Sequence, residues 1–340
     1  MSRVSGGRSG AVGQRPGRSG ADWPLASGLI AGAVADAILG DPRRGHPVAL
    51  FGRRMAALEQ RVYADRTATG VGYAAGGLLL GAGPLLVAAR LTRSSPAGRA
   101  VVTAATAWAV LASRSLCEAA SQIGAALDAG DLAGARDTLP SLCGRDPQHL
   151  DHAQITRAVV ESVAENTSDA VVAPLIWGAL AGPAGLSAYR AANTLDAMVG
   201  HHSPRYERFG RASARVDDVA NWMPARVTAM LAAGCSPAVG GRPGPTWQAA
   251  RHYGPLHPSP NAGWCEAAFA GALGVRLGGA LSYSGRTEHR PKLGTGRPPQ
   301  TSDISRAIRL SRAVTACATA LAAGLAAAGP ATDRRLAGRC

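Results

Sequence analysis

Three long stretches of this 340-residue chain carry no Asp, Glu, Lys or Arg, namely Thr67–Ala89, Ala170–Tyr189 and Ala313–Thr332. Each is long enough to cross the hydrocarbon core of a bilayer, which takes about 20 residues. Shorter apolar stretches are Leu25–Gly40, Ala100–Ser113 and Val227–Gly241. A soluble all-α protein with Ala-rich core helices would share part of this pattern, but three such runs favour the membrane. We therefore predict an all-α, polytopic integral membrane protein with about 4–6 transmembrane helices, amphipathic helices and long polar loops.

Net charge and lysine usage narrow the class of protein further. Lys and Arg number 36 against 22 Asp and Glu, and the formal net charge of +14 would normally suggest nucleic acid or an anionic surface. Only 4% of residues are aromatic, however, so the chain has few stacking platforms for single-stranded nucleic acid. Lys292 is the only lysine and is followed by Leu293, which excludes a Walker-type phosphate loop. We therefore expect a lipid bilayer as partner and no nucleic acid.

The chain divides into regions of different composition. Residues 1–22 are rich in Gly, Ser and Arg, which predicts a disordered basic tail. Residues 23–335 are interpreted as a single membrane-embedded domain, with a polar helical insert at about 114–168 and a Gly/Pro/Arg-rich loop region at about 242–305. The densest positive segment before the first long run favours a cytoplasmic position and contains Arg43, Arg44, Arg53, Arg54, Arg61 and Arg66.

An acidic stripe precedes the second long run. Arg157, Glu161, Glu165 and Asp169 follow one another at intervals of four residues, which places them along one slowly drifting face of a helix. Stacked carboxylates repel each other unless a cation, an arginine or a proton relieves them. A solvated helix face with an Arg157–Glu161 ion pair would explain the same pattern. The position at a membrane boundary favours a function, because acids there are costly, and Mg²⁺ held by carboxylate and amide oxygens would fit.

Two further polar clusters follow the second run, and each combines acids with arginine and asparagine. They consist of Arg190, Asn193 and Asp196, and of Arg215, Asp217, Asp218 and Asn221. Adjacent aspartates are often only an N-terminal helix signal. Together with the acidic stripe, these clusters are candidates for a site that binds a metal ion and phosphate. In such a site arginine would bind the anion through two parallel N–H groups.

Together these segments resemble the CobD/CbiB family, the adenosylcobinamide-phosphate synthases of cobalamin biosynthesis. The match extends over roughly residues 25–310, and its main blocks are Leu39–Pro42, Gly144–Asp146, Arg157–Asp169, Tyr189–Gly200, Ala214–Asn221 and Ser259–Trp264. Departures from the family pattern are mild, such as Ala170 where the family has glycine and His201 where it often has tyrosine. None of these departures falls on an acidic cluster.

The resemblance implies a multi-pass enzyme of the bacterial cytoplasmic membrane that forms an amide bond. The family joins adenosylcobyric acid to (R)-1-amino-2-propanol or its O-phosphate, which makes it an acid–amine ligase with a corrinoid substrate. ATP and Mg²⁺ are expected from the resemblance and not from a motif, and other membrane enzymes of the pathway are candidate partners. The alternatives are a membrane transporter or a non-enzymatic membrane regulator distantly similar to the family.

Roles for individual residues follow from the polar clusters and the implied chemistry. Acid–base work is assigned to Glu161, Glu165, Asp217 and Asp218, and a hypothetical Mg²⁺ to Glu161, Glu165, Asp169 and Asp196. Binding of substrate or phosphate is assigned to Arg145, Arg190, Arg215, Asn166, Asn193, Asn221 and Asn261.

Overall fold

The computed structural model describes residues 22–329, apart from 43–44, 145–146, 202 and 284–285. Within these residues the α-helices are α1 (Trp23–Leu39), α2 (Pro47–Val62), α3 (Thr67–Leu91), α4 (Pro96–Val110), α5 (Ser113–Asp128), α6 (Leu132–Thr138), α7 (His152–Thr167), α8 (Ala173–Leu195), α9 (Arg211–Cys235), α10 (Pro243–Tyr253), α11 (Ala262–Leu273) and α12 (Thr301–Ala328). Two antiparallel strands, β1 (Leu277–Tyr283) and β2 (Arg286–Leu293), form a hairpin. Short π-helical turns lie at Ser168–Val172 and Asp196–Gly200.

The all-α membrane fold predicted from the sequence is confirmed. Four helical segments of the described chain are long and apolar enough to cross a membrane, namely Thr67–Leu91, Pro96–Asp128, His152–Gly200 and Thr301–Ala328. A shorter apolar helix, α1, accompanies them. Many large apolar side chains on α1 and α3 are exposed, including Ile38 and Leu79, as expected for surfaces that face lipid.

Small residues bring α1 and α4 into close contact. A Cβ atom on Gly28 would lie 2.6 Å from Cβ of Thr103, and one on Gly32 would lie 2.4 Å from Cβ of Ala107. Both distances are shorter than real Cβ contacts, so only glycine fits at these positions. Glycines spaced by four residues are the common device by which membrane helices approach each other.

The second uncharged run does not form the single continuous span predicted for it. Ala181 (φ −132°, ψ 15°) and Gly182 (φ 65°, ψ −156°) leave the helical conformation inside α8, directly before Pro183. A Cβ atom on Gly185 would lie 2.2 Å from the carbonyl oxygen of Trp177. In a straight helix these two positions would be about 12 Å apart. The chain therefore folds back on itself, and α8 is a helical hairpin whose first limb precedes Ala181 and whose second limb follows Gly182.

The second limb of α8 packs against α3. Cβ atoms on Gly81 and Gly77 would contact Ala191 and Leu195, respectively. Near the end of this limb a separate small core surrounds Met55 of α2 and Tyr73 of α3, and Phe209 completes it. The larger core surrounds α7, whose Val159, Val160 and Val163 are fully buried. The polar insert predicted at 114–168 thus ends in a helix of the core.

The segment predicted as a long loop region at 242–305 differs from that prediction. It contains α10, α11 and the β1–β2 hairpin. Its Gly and Pro residues begin or end short elements, such as Pro243 in the first turn of α10 and Gly274 in the left-handed conformation after α11. Trp247 and Trp264 pack α10 on α11 with ring centroids 6.1 Å apart. A high content of turn-forming residues therefore marks closely spaced elements here.

Candidate functional site

Two π-helical turns at the open end of the α8 hairpin each carry an aspartate. Ser168–Val172 joins α7 to the first limb and contains Asp169, whereas Asp196 begins the turn that follows the second limb. Both aspartates lie at similar sequence distances from the break at Ala181–Gly182, so the fold-back brings them to the same end of the hairpin. They lie within electrostatic range of each other. Single π-helical turns occur frequently at functional sites.

Asp217 of α9 is the centre of a buried hydrogen-bond network. Its carboxylate accepts hydrogen bonds from Nδ2 of Asn221 at 3.0 Å and from Nδ2 of Asn193 at 3.4 Å. The Tyr189 hydroxyl donates to Oδ1 of Asn221 at 2.8 Å, and the Arg190 guanidinium donates to Oδ1 of Asn193 at 3.4 Å. The network ties the second limb of α8 to α9 and orients both oxygens of Asp217.

The electrostatic surroundings make Asp217 a weak acid. Burial raises the pKa of Asp217 to about 7, and the nearby charge of Asp196 acts in the same direction, against the two asparagine hydrogen bonds. Burial also raises the pKa of Asp218. Asp169 lies within electrostatic range of Asp217 and Glu165. A carboxyl with a pKa near neutrality suits general acid–base catalysis.

A polar cavity borders this network. Its volume is about 420 Å³, and its polar lining includes Asp41, Ser115, Glu118, Gln122, Asn166 and Arg190. Arg190 belongs to both the cavity and the Asp217 network. Nε of Arg190 and Oδ1 of Asp41 are buried and have no hydrogen-bond partner among the described residues. Oδ1 of Asp41 lies 3.9 Å from Nε2 of His46, and Asp41 is within electrostatic range of Arg190, so a carboxylate and a guanidinium lie together at the wall of the cavity.

Glu161 lies in a different neighbourhood from Asp217. Oε1 of Glu161 accepts a hydrogen bond from the backbone N–H of Gly278 at 2.7 Å and lies 3.9 Å from Nε of Arg157. The carboxylate is only 3% exposed and faces the β hairpin. Glu161 therefore contacts the β hairpin, whereas Asp169, with which it is grouped in the sequence, lies within electrostatic range of Glu165 and Asp217.

The remaining predicted binding residues are distributed around α9. Asn261 donates from Nδ2 to the backbone carbonyl of Asp218 at 2.8 Å and supports that part of the helix. Asn166 donates to the backbone carbonyl of Ser162 at 2.9 Å and lines the cavity. Arg215 is exposed on α9. Arg145 lies outside the described residues.

The carboxylates predicted to bind Mg²⁺ do not form a complete metal site by themselves. No group of three or more His, Cys, Asp or Glu side chains in the described chain is arranged to hold a metal ion by itself. Mg²⁺, however, is often held by one or two carboxylates together with substrate phosphates and water. Of the four carboxylates predicted to hold Mg²⁺, Asp169 and Asp196 lie within electrostatic range of each other and are the two that could hold it with a phosphate ligand.

Sequence reasoning missed two members of the site. Tyr189 looks like an ordinary apolar residue at the end of an uncharged run, and only its contact with Asn221 reveals its role. Asp41, inside the block Leu39–Pro42, received no role from the sequence, yet it borders the same cavity as Arg190. The sequence feature that could have indicated a role for Tyr189 is its position directly before Arg190.

Comparison with known proteins gives one consistent result. The family model described as CobD/Cbib protein matches residues 29–311. The chain is 50% identical over 297 residues to the cobalamin biosynthesis protein CobD of Mycobacterium tuberculosis, covering 87% of this chain and 94% of that protein. It is 40% identical over 297 residues to the protein of the same name from Rhodobacter capsulatus, covering 85% and 93%. No solved structure matches the chain.

The matched region contains every element that builds the site. It includes Asp41 after α1, the acidic stripe of α7, both limbs of the α8 hairpin and the Asp217 network. The relatives are matched along nearly their whole length. On these grounds the chain belongs to the CobD/CbiB family.

Proposed function

We propose that the chain acts in cobalamin biosynthesis and forms an amide bond between a carboxylate of adenosylcobyric acid and (R)-1-amino-2-propanol or its O-phosphate. The relatives from M. tuberculosis and R. capsulatus are named cobalamin biosynthesis proteins, and membership of the family supports the same role for this chain. One observation carries the chemical part of the proposal. Asp217, a buried carboxyl with a pKa near 7, belongs to the same network as Arg190, which lines the polar cavity.

Amide formation at neutral pH needs an activated carboxylate and a neutral amine. ATP with Mg²⁺ would supply the activation: an oxygen of the corrinoid carboxylate would bond to the γ-phosphorus, the bond from that phosphorus to the β–γ bridging oxygen would break, and ADP would leave. The amine nitrogen then forms the C–N bond, the C–O bond to phosphate breaks, and phosphate leaves. One proton from the amine must be removed, so the site needs a base close to the attacking nitrogen.

Asp217 is the base that the network favours. Hydrogen bonds from Asn193 and Asn221 hold its carboxylate in one orientation, and these two donors stabilise the ionised form. With a pKa of about 7, the ionised carboxylate is well populated at neutral pH and can still accept a proton. Tyr189 acts through Asn221 and is a positioning residue.

Arg190 is assigned to hold the carboxylate or phosphate of the substrate. Its guanidinium lines the cavity, and its Nε has no hydrogen-bond partner among the residues that the structure describes. A guanidinium presents a planar fork of donors that matches carboxylate and phosphate oxygens. Asn166 borders the same cavity and can orient the bound group.

The proposed location is the bacterial cytoplasmic membrane, with the site at the cytoplasmic end of the bundle. Arg53, Arg54 and Arg61 of α2 lie close in the chain to Asp41 of the cavity, and such basic segments are retained on the cytoplasmic side. ATP is available on that side. The four helical segments that can span a bilayer support a multi-pass arrangement.

A transporter is the less favoured alternative. Transporters commonly place their binding site at the break of a discontinuous helix. In this chain the break at Ala181–Gly182 lies at the opposite end of the hairpin from Asp169 and Asp196. A transporter would give substrate flux in vesicles without an ATP-dependent product.

The decisive experiment supplies detergent-purified protein with adenosylcobyric acid, ATP–Mg²⁺ and either aminopropanol or its phosphate. Mass spectrometry should detect the condensed product. The amine that gives product at the higher rate, aminopropanol or its phosphate, is the natural substrate. Asp217→Asn should lower the rate by about 100-fold or more, because general-base catalysis contributes about 10²–10⁴-fold.

Asp137→Asn is the matched control, because it removes a carboxylate from an exposed position on α6. It should condense the substrates at the wild-type rate. Wild-type activity in a properly inserted Asp217→Asn protein would remove Asp217 from the mechanism. Absence of condensed product from the wild-type protein with both amines would contradict the proposed reaction.

A further inference from the structure

A second pocket, distinct from the polar cavity, lies between the start of α7 and the β1–β2 hairpin. Its volume is about 250 Å³. Three cationic residues line it, Arg157 of α7, Arg276 before β1 and Lys292 of β2, and among the lining residues that the structure describes Asp151 is the only acid. The pocket has no role in the proposed acid–base chemistry.

The carboxylate of Asp151 is held by a hydrogen bond at the start of α7. Its Oδ1 accepts the backbone N–H of Gln154 at 2.8 Å, while Oε1 of Gln154 accepts the backbone N–H of Asp151 at 2.8 Å. This capping box fixes the first turn of α7, whose positive dipole end faces the same region. The three cations outnumber the two acids at the pocket, Asp151 and Glu161, so among the described residues this region keeps an excess of one positive charge.

Arg157 is held in place at the inner wall of the pocket. Its side chain is 18% exposed, and its Nε lies 3.9 Å from Oε1 of Glu161, which also accepts the N–H of Gly278. Glu161 thus holds Arg157 by an ion pair and is itself held by the backbone N–H of Gly278. An anchored guanidinium loses less conformational entropy when it binds a ligand.

Two glycines keep the opposite wall open. Gly278 and Gly279 have φ angles of 75° and 95°, and the register of the hairpin shifts between Leu277 and Gly279. A Cβ atom on Gly279 would lie 3.3 Å from Nη1 of Arg157. A side chain at residue 279 would therefore crowd the arginine and narrow the pocket.

We propose that this pocket binds the phosphate group of a ligand. Two arginines and one lysine line the same space, and arginine pairs strongly with phosphate oxygens. A carboxylate carries a single charge and would engage only part of this set. The pocket thus supplies phosphate binding without a Walker-type loop.

The position of the pocket relates it to the candidate active site. Arg157 and Glu165 lie on the same helix, and eight residues of an α-helix span about 12 Å. The identity of the molecule that carries the phosphate rests on the proposed function, which leaves a nucleoside triphosphate and aminopropanol phosphate as sources. The preference of the pocket for phosphate does not depend on that function.

The lone lysine allows the proposal to be tested without turnover. Pyridoxal 5′-phosphate followed by borohydride attaches to amines, so in the full-length protein it can label only Lys292 and the chain's terminal amino group. We expect pyridoxal 5′-phosphate to label Lys292 about tenfold faster than pyridoxal does, because only the former carries a phosphate. The terminal amino group serves as the internal reference.

Protection by ligands identifies the phosphate source. Inorganic phosphate, ATP–Mg²⁺ and aminopropanol phosphate should each slow labelling of Lys292 at sufficient concentration, and the ligand with the lowest half-protecting concentration is the natural one. Succinate at equal ionic strength should not protect. Equal protection by succinate, or no protection by any of the phosphate ligands, would overturn the proposal.

Variants separate a binding role from a structural role. Arg276→Gln and Arg157→Gln should each raise the half-protecting concentration about tenfold, whereas Arg251→Gln, at an exposed position of α10, should leave it unchanged. Arg276→Gln keeps the test valid if loss of Arg157 disturbs α7. Unchanged protection in both pocket variants would also contradict the proposal. Since labelling needs no catalysis, the pocket and the condensation reaction can fail independently.

Discussion

At the residue scale, Asp217 shows how its surroundings change the chemistry of a carboxyl group. Burial and the charge of Asp196 raise its pKa from the ordinary 3.8 to about 7. The unfolded chain would lose this proton near pH 4, but the folded protein retains it until about pH 7. Between these values the folded state binds more protons, so its stability falls as the pH rises.

This linkage predicts the pH dependence of unfolding. In Asp217→Asn the decline in Tm between pH 5 and pH 7.5 should be smaller than in the wild type by about 2 °C or more, because the amide does not titrate. Thermal denaturation of detergent-solubilised protein measures the difference. Asp137→Asn should follow the wild-type curve, since that residue is exposed. Parallel wild-type and Asp217→Asn curves would show that Asp217 does not titrate in this range.

The acidic stripe illustrates how far residue spacing can predict a site. A four-residue interval drifts by about 40° for each step, so Glu161 and Asp169 point about 80° apart even in an ideal helix. The π-helical turn at Ser168–Val172 changes the rotation per residue, so the angle of an ideal helix does not hold for Asp169. The sequence therefore predicts that these acids are near one another, but not that Glu161 faces the hairpin while Asp169 faces Asp217.

At the element scale, the α1–α4 contact depends on the absence of side chains. Gly32→Val would place a Cβ atom 2.4 Å from that of Ala107, so the helices would have to separate. We expect a loss of about 1–3 kcal/mol in the free energy of unfolding, the usual cost of overpacking. Chemical denaturation in detergent measures it.

Gly72→Val on α3 is the matched control, because nothing lies within 4 Å of a Cβ atom at that position. Its stability should equal that of the wild type. If both variants lost stability equally, the loss would not come from the α1–α4 contact.

The α8 hairpin marks the limit of prediction at this scale. The uncharged run predicted a membrane helix, and the Gly182–Pro183 pair was the one local sign of an interruption. Whether such a pair kinks a helix or reverses it depends on packing with distant elements. Here Leu29 of α1 contacts the first limb at Gly178, while α3 supports the second limb. Those contacts cannot be inferred from the local sequence.

At the scale of the whole molecule, the arrangement of helices predicts which loops share a membrane face. α3 is a candidate span, so Asp65 before it and Ser94 after it should lie on opposite faces. With the native cysteines replaced, Asp65→Cys should react with a membrane-impermeant maleimide only in inverted vesicles and Ser94→Cys only in intact cells. Labelling of both from the same side would contradict the arrangement and the proposed cytoplasmic location of the site.

The fold-back of α8 has a consequence for how the site tolerates changes in chain length. Asp169 and Asp196 lie within electrostatic range of each other because the two limbs of the hairpin return to the same end. One residue inserted between Gly182 and Asp196 would rotate Asp196 by about 100° about the helix axis and shift it by about 1.5 Å. Such an insertion would dismantle the acidic cluster while every residue of the site kept its identity.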